Sequence, residues 1–294
     1  MNQKSWATIG VVFLAGIMIF STFAGFVMRG GSPAETAASE TWNPSDFEVS
    51  GRLINWDFDS LGDALGMYPE DLIFAYWINM TASENLTEAA ASILPPAVGL
   101  TYRYQVSLYP SPIDRVSWGL YNDEMAEFHW TKPAPVGSHG LAALYDGYQM
   151  IPFGTTDLYS VLGMPVLFGS ESSIKTVLDV ITGEAPTTEK FVLPYDEIDA
   201  LQISILGKDA ATNPSFIPPL DGEYTESYLG ISPTDEGYLL TAKYLSLHGE
   251  SEIRVSDIAE SYGLSISSED SVTTISGTVM PENLTETLGA FITP

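Results

Sequence analysis

"DLIFAYWINMTASENLTEAAASILP", Asp71–Pro95, changes period halfway along. Its first ten residues are an apolar, aromatic-rich run of strand length. From Leu86 the apolar residues Leu86, Ala90, Ile93 and Leu94 fall at relative positions 0, 4, 7 and 8, the stripe of an amphipathic helix. The same change recurs at the C-terminus. There "SVTTISGTVM", Ser271–Met280, precedes "ENLTETLGAFITP", Glu282–Pro294, with Leu284, Leu288, Phe291 and Ile292 at the same relative positions. The pentapeptide Glu-Asn-Leu-Thr-Glu opens both stripes, and acidic residues in a first turn suit the helix dipole. Pro281 fits a first helical position. Upstream, each strand follows a Glu-Asp pair and a short helical patch, "SLGDALG" (Ser60–Gly66) and "VSDIAESYG" (Val255–Gly263). Helix, strand and helix recurring in this order predict an α+β protein of mainly antiparallel sheet with helices packed on it. The expected build is two related lobes, residues 47–207 and 220–294, with internal duplication.

Between them the chain reads as strands. "FEVSGRLINWDF" alternates at the start of the globular region. "GLTYRYQVSLYP" alternates too, and "VSWGLYNDEMAEFHWTK" turns at Asn122-Asp123. Asp146-Gly147 between apolar runs is a hairpin signal. "MPVLFGSESSIKTVLDVITGE" predicts a strand, a serine cap and a helix along Ile174, Val177, Leu178 and Ile181. "IDALQISIL" is a further strand and "TESYLGISPTDEGYLLTAKYLSL" a second hairpin. The Pro-rich stretch near 207–220 marks the expected boundary.

The chain has 294 residues, with 11 Lys plus Arg against 38 Asp plus Glu, a net charge of −27. Such a surface repels nucleic acid and anionic headgroups, so no nucleic-acid partner is expected. Cysteine is absent, which excludes disulfides, thiolate metal sites and a Cys nucleophile.

"WATIGVVFLAGIMIFSTFAGFVM", Trp6–Met28, carries no charge over 23 residues. As a helix it is about 34 Å long, enough to cross a bilayer. It is longer than the apolar core of a secretory signal, so a retained anchor is favoured over cleavage within "GGSPAETAA". Residues 1–5 would lie in the cytoplasm, 6–28 in membrane lipid, and 29–46 would form a flexible tether to an extracytoplasmic domain. Ala7, Gly10, Leu14, Ile17, Ser21, Ala24 and Met28 form one seam of the span. Small residues on it suit a transmembrane helical partner or a homo-oligomer. Sequons stand at Asn79, Asn85 and Asn283; helical geometry puts Asn85 and Asn283 to one side of the apolar stripe, where a glycan fits, and Asn79 ends a strand.

No catalytic, cofactor or metal set is expected. His129, His139 and His248 have no metal-ligand spacing. Asp57, Asp59 and Asp63 in "WDFDSLGD" lack the ligand pattern of a calcium loop and read as a turn and helix cap. Ser172–Lys175 matches Ser-x-x-Lys without its companion elements, so its serines read as caps; "VGSHG", Val136–Gly140, reads as a loop. Trp77, Trp118, Trp130, Tyr102, Tyr104, Tyr145 and Tyr148 read as core or cross-strand residues, with a sugar or peptide groove as the alternative.

"YPEDLIFAYWINM" resembles the opening of a class of uncharacterised prokaryotic envelope proteins with one N-terminal anchor. "VLFGSESSIKTVLDVITGE" leading to "IDALQISIL" resembles their strand–helix–strand unit, and the composition is similar to that of surface proteins of methanogenic archaea. The resemblance implies a cell-envelope location and no activity. The expected function is a non-enzymatic, single-pass surface protein, either an envelope component or an accessory subunit of a membrane assembly. An anchored binding protein for peptide, glycan or solute, and an extracellular hydrolase with a carboxylate pair, are the alternatives.

Overall fold

A computed structural model describes residues 51–101, 111–131, 142–153, 156–207 and 223–292. The predicted anchor, its seam from Ala7 to Met28, the tether, most of the 207–220 boundary, and Tyr102, Tyr104 and "VGSHG" lie outside the described residues. Residues Pro44–Pro294 form one compact unit. Among the described residues no helix is long and apolar enough to cross a membrane.

In chain order the elements are β1 (Ile54–Asn55), α1 (Leu61–Leu65), β2 (Leu72–Asn79), α2 (Glu84–Ile93), α3 (Val98–Thr101), β3 (Ile113–Tyr121), β4 (Glu124–Thr131), β5 (Ala143–Tyr145), β6 (Tyr148–Pro152), β7 (Leu158–Val161), β8 (Gly163–Met164) and β9 (Val166–Ser170). There follow α4 (Glu171–Thr182), β10 (Leu201–Leu206), β11 (Glu226–Thr234), β12 (Gly237–Leu245), α5 (Gly249–Ser261), β13 (Ser265–Glu269), β14 (Val272–Val279), a 3₁₀ turn (Pro281–Asn283) and α6 (Leu284–Ile292). Twelve strands make one sheet in the order β13-β14-β12-β11-β10-β2-β3-β4-β9-β7-β6-β5; β1 and β8 pair separately, in parallel. Every neighbouring pair in the large sheet is antiparallel. The protein is therefore α+β, built on a large antiparallel sheet with few helices. The sheet runs unbroken from segment 47–207 into segment 220–294, joined where β10 pairs β11.

Local chemistry explains the turns. Asn122 and Asp123, at φ 44° and 60°, join β3 to β4, and Asp146-Gly147, at φ 42° and 80°, join β5 to β6. Asn, Asp and Gly tolerate the positive φ that a two-residue hairpin loop needs. Ser60 caps α1 in a capping box with Asp63, so the acidic "WDFDSLGD" segment is a helix start. Ser170 caps α4, and Gly183 at φ 81° ends it.

Alternation along β2 feeds two cores. Phe74, Tyr76 and Ile78 face the front, where α2, α5 and α6 contribute Leu86, Ala90, Val255, Ala259, Leu284, Leu288, Phe291 and Ile292. Ala75 and Trp77 face the back, where α1 and α4 contribute Leu61, Ala64, Ile174, Val177 and Leu178. A strand buried on both faces has no polar side, which is why "LIFAYWI" is a continuous apolar run. Each buried Leu, Ile or Phe stabilises the fold by about 1.5–3 kcal/mol. The helical stripes read from the two pentapeptide sites thus both face the front core, and α2 and α6 pack on each other.

Two readings change. Gly99–Thr101, expected to begin a strand, are part of α3. The Glu127 carboxylate accepts the Val98 and Gly99 N–H groups, so a helical turn is closed here from another strand. The recurrence of helix, strand and helix is met in its second half: β2–α2 and β14–α6 run the same way and return over the same face. In the first half, α1 lies on the back core while α5 lies on the front, and β13 intervenes before β14.

Candidate functional site

Among the described residues, buried carboxylates with defined partners stand at two places. The first is a cleft of about 190 Å³ on the front of β4, β9 and β7, beside α3. Phe168, Leu158, Met125 and Val98 give it an apolar lining; Asp123, Glu124, Glu127 and Ser170 supply oxygen atoms. Glu127 is 4% exposed and His129 fully buried. Period two puts them on one face of β4. Glu127 Oε1 accepts from the Val98 N–H at 2.8 Å, and Oε2 from the Gly99 N–H at 3.0 Å. With Nε2 as donor, His129 bonds Oε2 at 2.8 Å. The imidazole stacks on Phe168 with centroids 5.6 Å apart. A Cβ on residue 99 would stand 2.6 Å from that imidazole, so glycine is what lets α3 settle over the pair. Nearby Tyr76 has its pKa raised well above the usual value by burial first and the Glu127 charge second.

The second place is under an irregular strap, residues 185–199, which crosses the back of β10, β11 and β12. Glu226, 1% exposed, accepts the Val192 N–H at 2.8 Å and the Leu193 N–H at 3.1 Å. Asp199, 5% exposed, accepts from Tyr228 Oη at 2.8 Å and Ser232 Oγ at 2.6 Å. Tyr228 Oη in turn accepts the Asp196 N–H at 3.3 Å. Gln202 links this group to α1: its Oε1 accepts the Leu61 N–H and its Nε2 donates to the Asp199 carbonyl, both at 2.9 Å. Lys243 donates to the Pro194 carbonyl. Gly230 leaves the space: a Cβ there would lie 1.9 Å from Asp199 Oδ2. Burial raises the pKa of both carboxyls, against the opposing pull of Ser232 and Tyr228 on Asp199 and of the two N–H groups on Glu226.

At both places the buried carboxylates are engaged. Glu127, Asp199 and Glu226 already have their donors, and each ties one piece of backbone or side chain to the sheet. A buried carboxylate without such donors costs far more than one with them.

The sequons fall as follows. Asn85 is exposed in the first turn of α2, after the Ser83 cap; Asn283 is exposed at the end of the 3₁₀ turn that opens α6. Asn79 is half-buried at the end of β2, and its Oδ1 accepts from the Thr81 hydroxyl at 2.7 Å and the Thr81 N–H at 3.1 Å. Of the aromatic candidates, Trp77, Trp118 and Tyr148 are buried, Trp118 stacking on Tyr76 at 5.9 Å. Trp130 and Tyr145 are half-buried, with Arg115 over the Trp130 ring and Lys175 over the Tyr145 ring. His248 sits at the N-cap of α5. Asp199, Glu226 and Gly230 had no signal in the sequence, because each is paired across the contact between the irregular strap and β11, up to 34 residues away. The Glu127–His129 pair had one, in two polar residues spaced by two on a strand.

No family model matches the chain, and no curated protein does. Among solved structures, the chain is similar to TP0453 in crystal form I, with a TM-score of 0.48 and 12% identity over 78% of this chain and 98% of that one. For crystal form III the TM-score is 0.47 and the identity 13%, over 77% and 97%.

Proposed function

We propose that the chain is a non-enzymatic, single-pass membrane-anchored surface protein, an envelope component or an accessory subunit of a membrane assembly. The observation that carries the reading is the uncharged run Trp6–Met28, which precedes a polar tether and a single compact unit. In this reading the N-terminus is cytoplasmic and the α+β unit faces outward. The seam from Ala7 to Met28 meets a transmembrane partner helix or a second copy, and Asn85, Asn283 and Asn79 carry glycans. β2–α2 and β14–α6 are then two copies of one duplicated strand–helix unit. The non-enzymatic part draws support from Glu127, Asp199 and Glu226, whose oxygens are engaged in holding the fold. A hydrolytic carboxylate pair would have to converge on a cleft; at the cleft on β4 the buried carboxylate, Glu127, is already held by α3 and His129.

A second reading, an anchored binding protein for a small solute or a side chain, is favoured by the cleft itself. Apolar lining with a few converging oxygens is the usual make-up of a ligand site, although 190 Å³ suits a side chain more than a whole oligomer.

The test is intact mass and glycopeptide mass spectrometry on protein extracted from its native membranes in mild detergent. The expected result is a chain that retains the peptide Met1–Arg29, bears glycans at Asn85 or Asn283, and brings defined subunits with it. A mature N-terminus beyond Arg29 overturns the anchor, and with it the assembly.

A further inference from the structure

The outer surface of α1 and the strap has features of a docking site. Gly62 lies in α1 and Gly66 is its C-cap, four residues on. Each receives an aromatic ring: a Cβ on residue 62 would overlap the Tyr195 phenol at 2.0 Å, and one on residue 66 would lie 3.2 Å from the Trp56 ring. Trp56 Nε1 donates to the Asp63 carbonyl at 3.1 Å, which fixes its ring. Trp56 is 36% exposed and Tyr195 40%, and the strap adds Ile198 at 74% and Val192 at 65%. Side chains of this size in solvent are ordinary when scattered, but here two sit against α1 and its C-cap, and three lie on one short strap.

The strap is also fixed from behind. Glu226, Tyr228 and Lys243 hold the backbone of Val192, Leu193, Asp196 and Pro194. A partner would therefore meet a surface ordered in advance, at reduced entropic cost. Along these segments the exposed acids are Asp57, Asp59, Glu189, Asp196 and Glu197. Arg115 pairs with Asp59, Lys243 is engaged by the Pro194 carbonyl and Lys190 is exposed, which leaves Asp57, Asp196 and Glu197 as the acids beside Trp56, Tyr195 and Ile198 in the chain.

We propose that this surface docks a protein segment that is both apolar and basic, its apolar side chains covering Trp56, Tyr195 and Ile198 and its Lys or Arg residues facing Asp57, Asp196 and Glu197. Charge selects this occupant. A second copy also carries −27 and would set the same acids against each other. An anionic bilayer or a nucleic acid is repelled in the same way. Aromatic anchors within a charged rim are the usual anatomy of an energetically focused interface. The proposal does not depend on the membrane anchor.

The test uses the full chain in phosphatidylcholine nanodiscs and a fluorescent peptide alternating Lys with Leu. The control peptide alternates Lys with Ser and has the same charge. The Lys–Leu peptide is expected to bind more tightly than the control, and the Val192→Ser/Ile198→Ser pair is expected to weaken it about tenfold. That pair leaves the net charge unchanged, so general attraction to an acidic protein survives it. Asp196→Asn/Glu197→Gln, at exposed positions, is expected to weaken binding too and to flatten its salt dependence. Equal binding of the two peptides, undiminished binding by the serine pair, or loss of binding only on Met125→Ser in the cleft would each overturn the proposal. So would self-association of the wild-type chain that the serine pair abolishes, since the occupant would then be a second copy.

Discussion

The strands β10, β11 and β12 are covered twice, in opposite ways. On the front, Leu201, Ile203, Ile231, Leu240 and Ala242 meet the apolar stripes of α2, α5 and α6. On the back, Gln202, Glu226, Tyr228, Ser232 and Lys243 meet an irregular strap. A helix bonds most of its own N–H and C=O groups and asks only for an apolar partner. A strap without regular structure leaves N–H groups bare, so the surface beneath it must supply acceptors. Along β10 and β11 the strands therefore alternate apolar and polar, with polar positions such as Gln202 and Glu226 as buried as the apolar ones; on β12, at the strap's edge, Lys243 is half-buried. Burial alone does not tell which face of a sheet is core.

The largest effect in this comparison belongs to the front. Leu288 is fully buried where α6 meets the front core. Leu288→Ala is expected to cost about 3 kcal/mol in urea unfolding, through lost transfer energy and the cavity left behind. Because the front core spans both pentapeptide helices, protection from hydrogen exchange is expected to fall across the whole sheet. A loss below about 1 kcal/mol would mean that this core repacks freely, contrary to the packing of α6 on α2.

Glu226→Ala probes the other cover. It leaves the Val192 and Leu193 N–H groups buried without an acceptor, at an expected cost of about 2 kcal/mol. The loss is expected to appear first as faster hydrogen exchange in residues 185–199, with α6 amides slower to respond. If α6 amides accelerate as much as the strap, the two covers are one cooperative unit and the contrast between them is only chemical.

These two sites also differ in how far the sequence discloses them. Leu284, Leu288, Phe291 and Ile292 announce a buried helical face because period and polarity lie within a dozen residues. The turns at Asn122-Asp123 and Asp146-Gly147 and the caps at Ser60 and Ser170 are equally local, and the helices and most strands were legible for that reason. Glu226 looks like any acidic residue among Thr225, Ser227 and Tyr228. Its acceptor role exists only because residues 192 and 193 cross above it, a long-range pairing without a period. α3 was misread on the same principle: the carboxylate that closes it, Glu127, sits 28 residues downstream of Gly99. Glycines 62, 66, 99 and 230 carry signals visible only once the neighbour that needs the space is known.

The pH response is the finest probe of the contrast, since it leaves every side chain in place. Burial raises the Asp199 carboxyl above its usual 3.8 and the Glu226 carboxyl above its usual 4.5. The folded protein thus binds these protons more tightly than the unfolded chain, so protonation favours folding. That stabilisation is complete below the unfolded values and is lost as pH rises through the raised ones. Asp199→Asn/Glu226→Gln removes both titrations. Relative to that variant, the wild-type strap is expected to gain protection as pH falls from neutral towards 4.5 and then 3.8, while the front helices show no such difference. Every other acid in the chain is common to both proteins and drops out of the comparison. The opposite sign, a strap that loosens on acidification relative to the variant, would show that the hydrogen bonds accepted by the ionised carboxylates outweigh the cost of burying them. The strap would then be held by charge, and its contrast with the apolar front would be sharper than burial alone makes it.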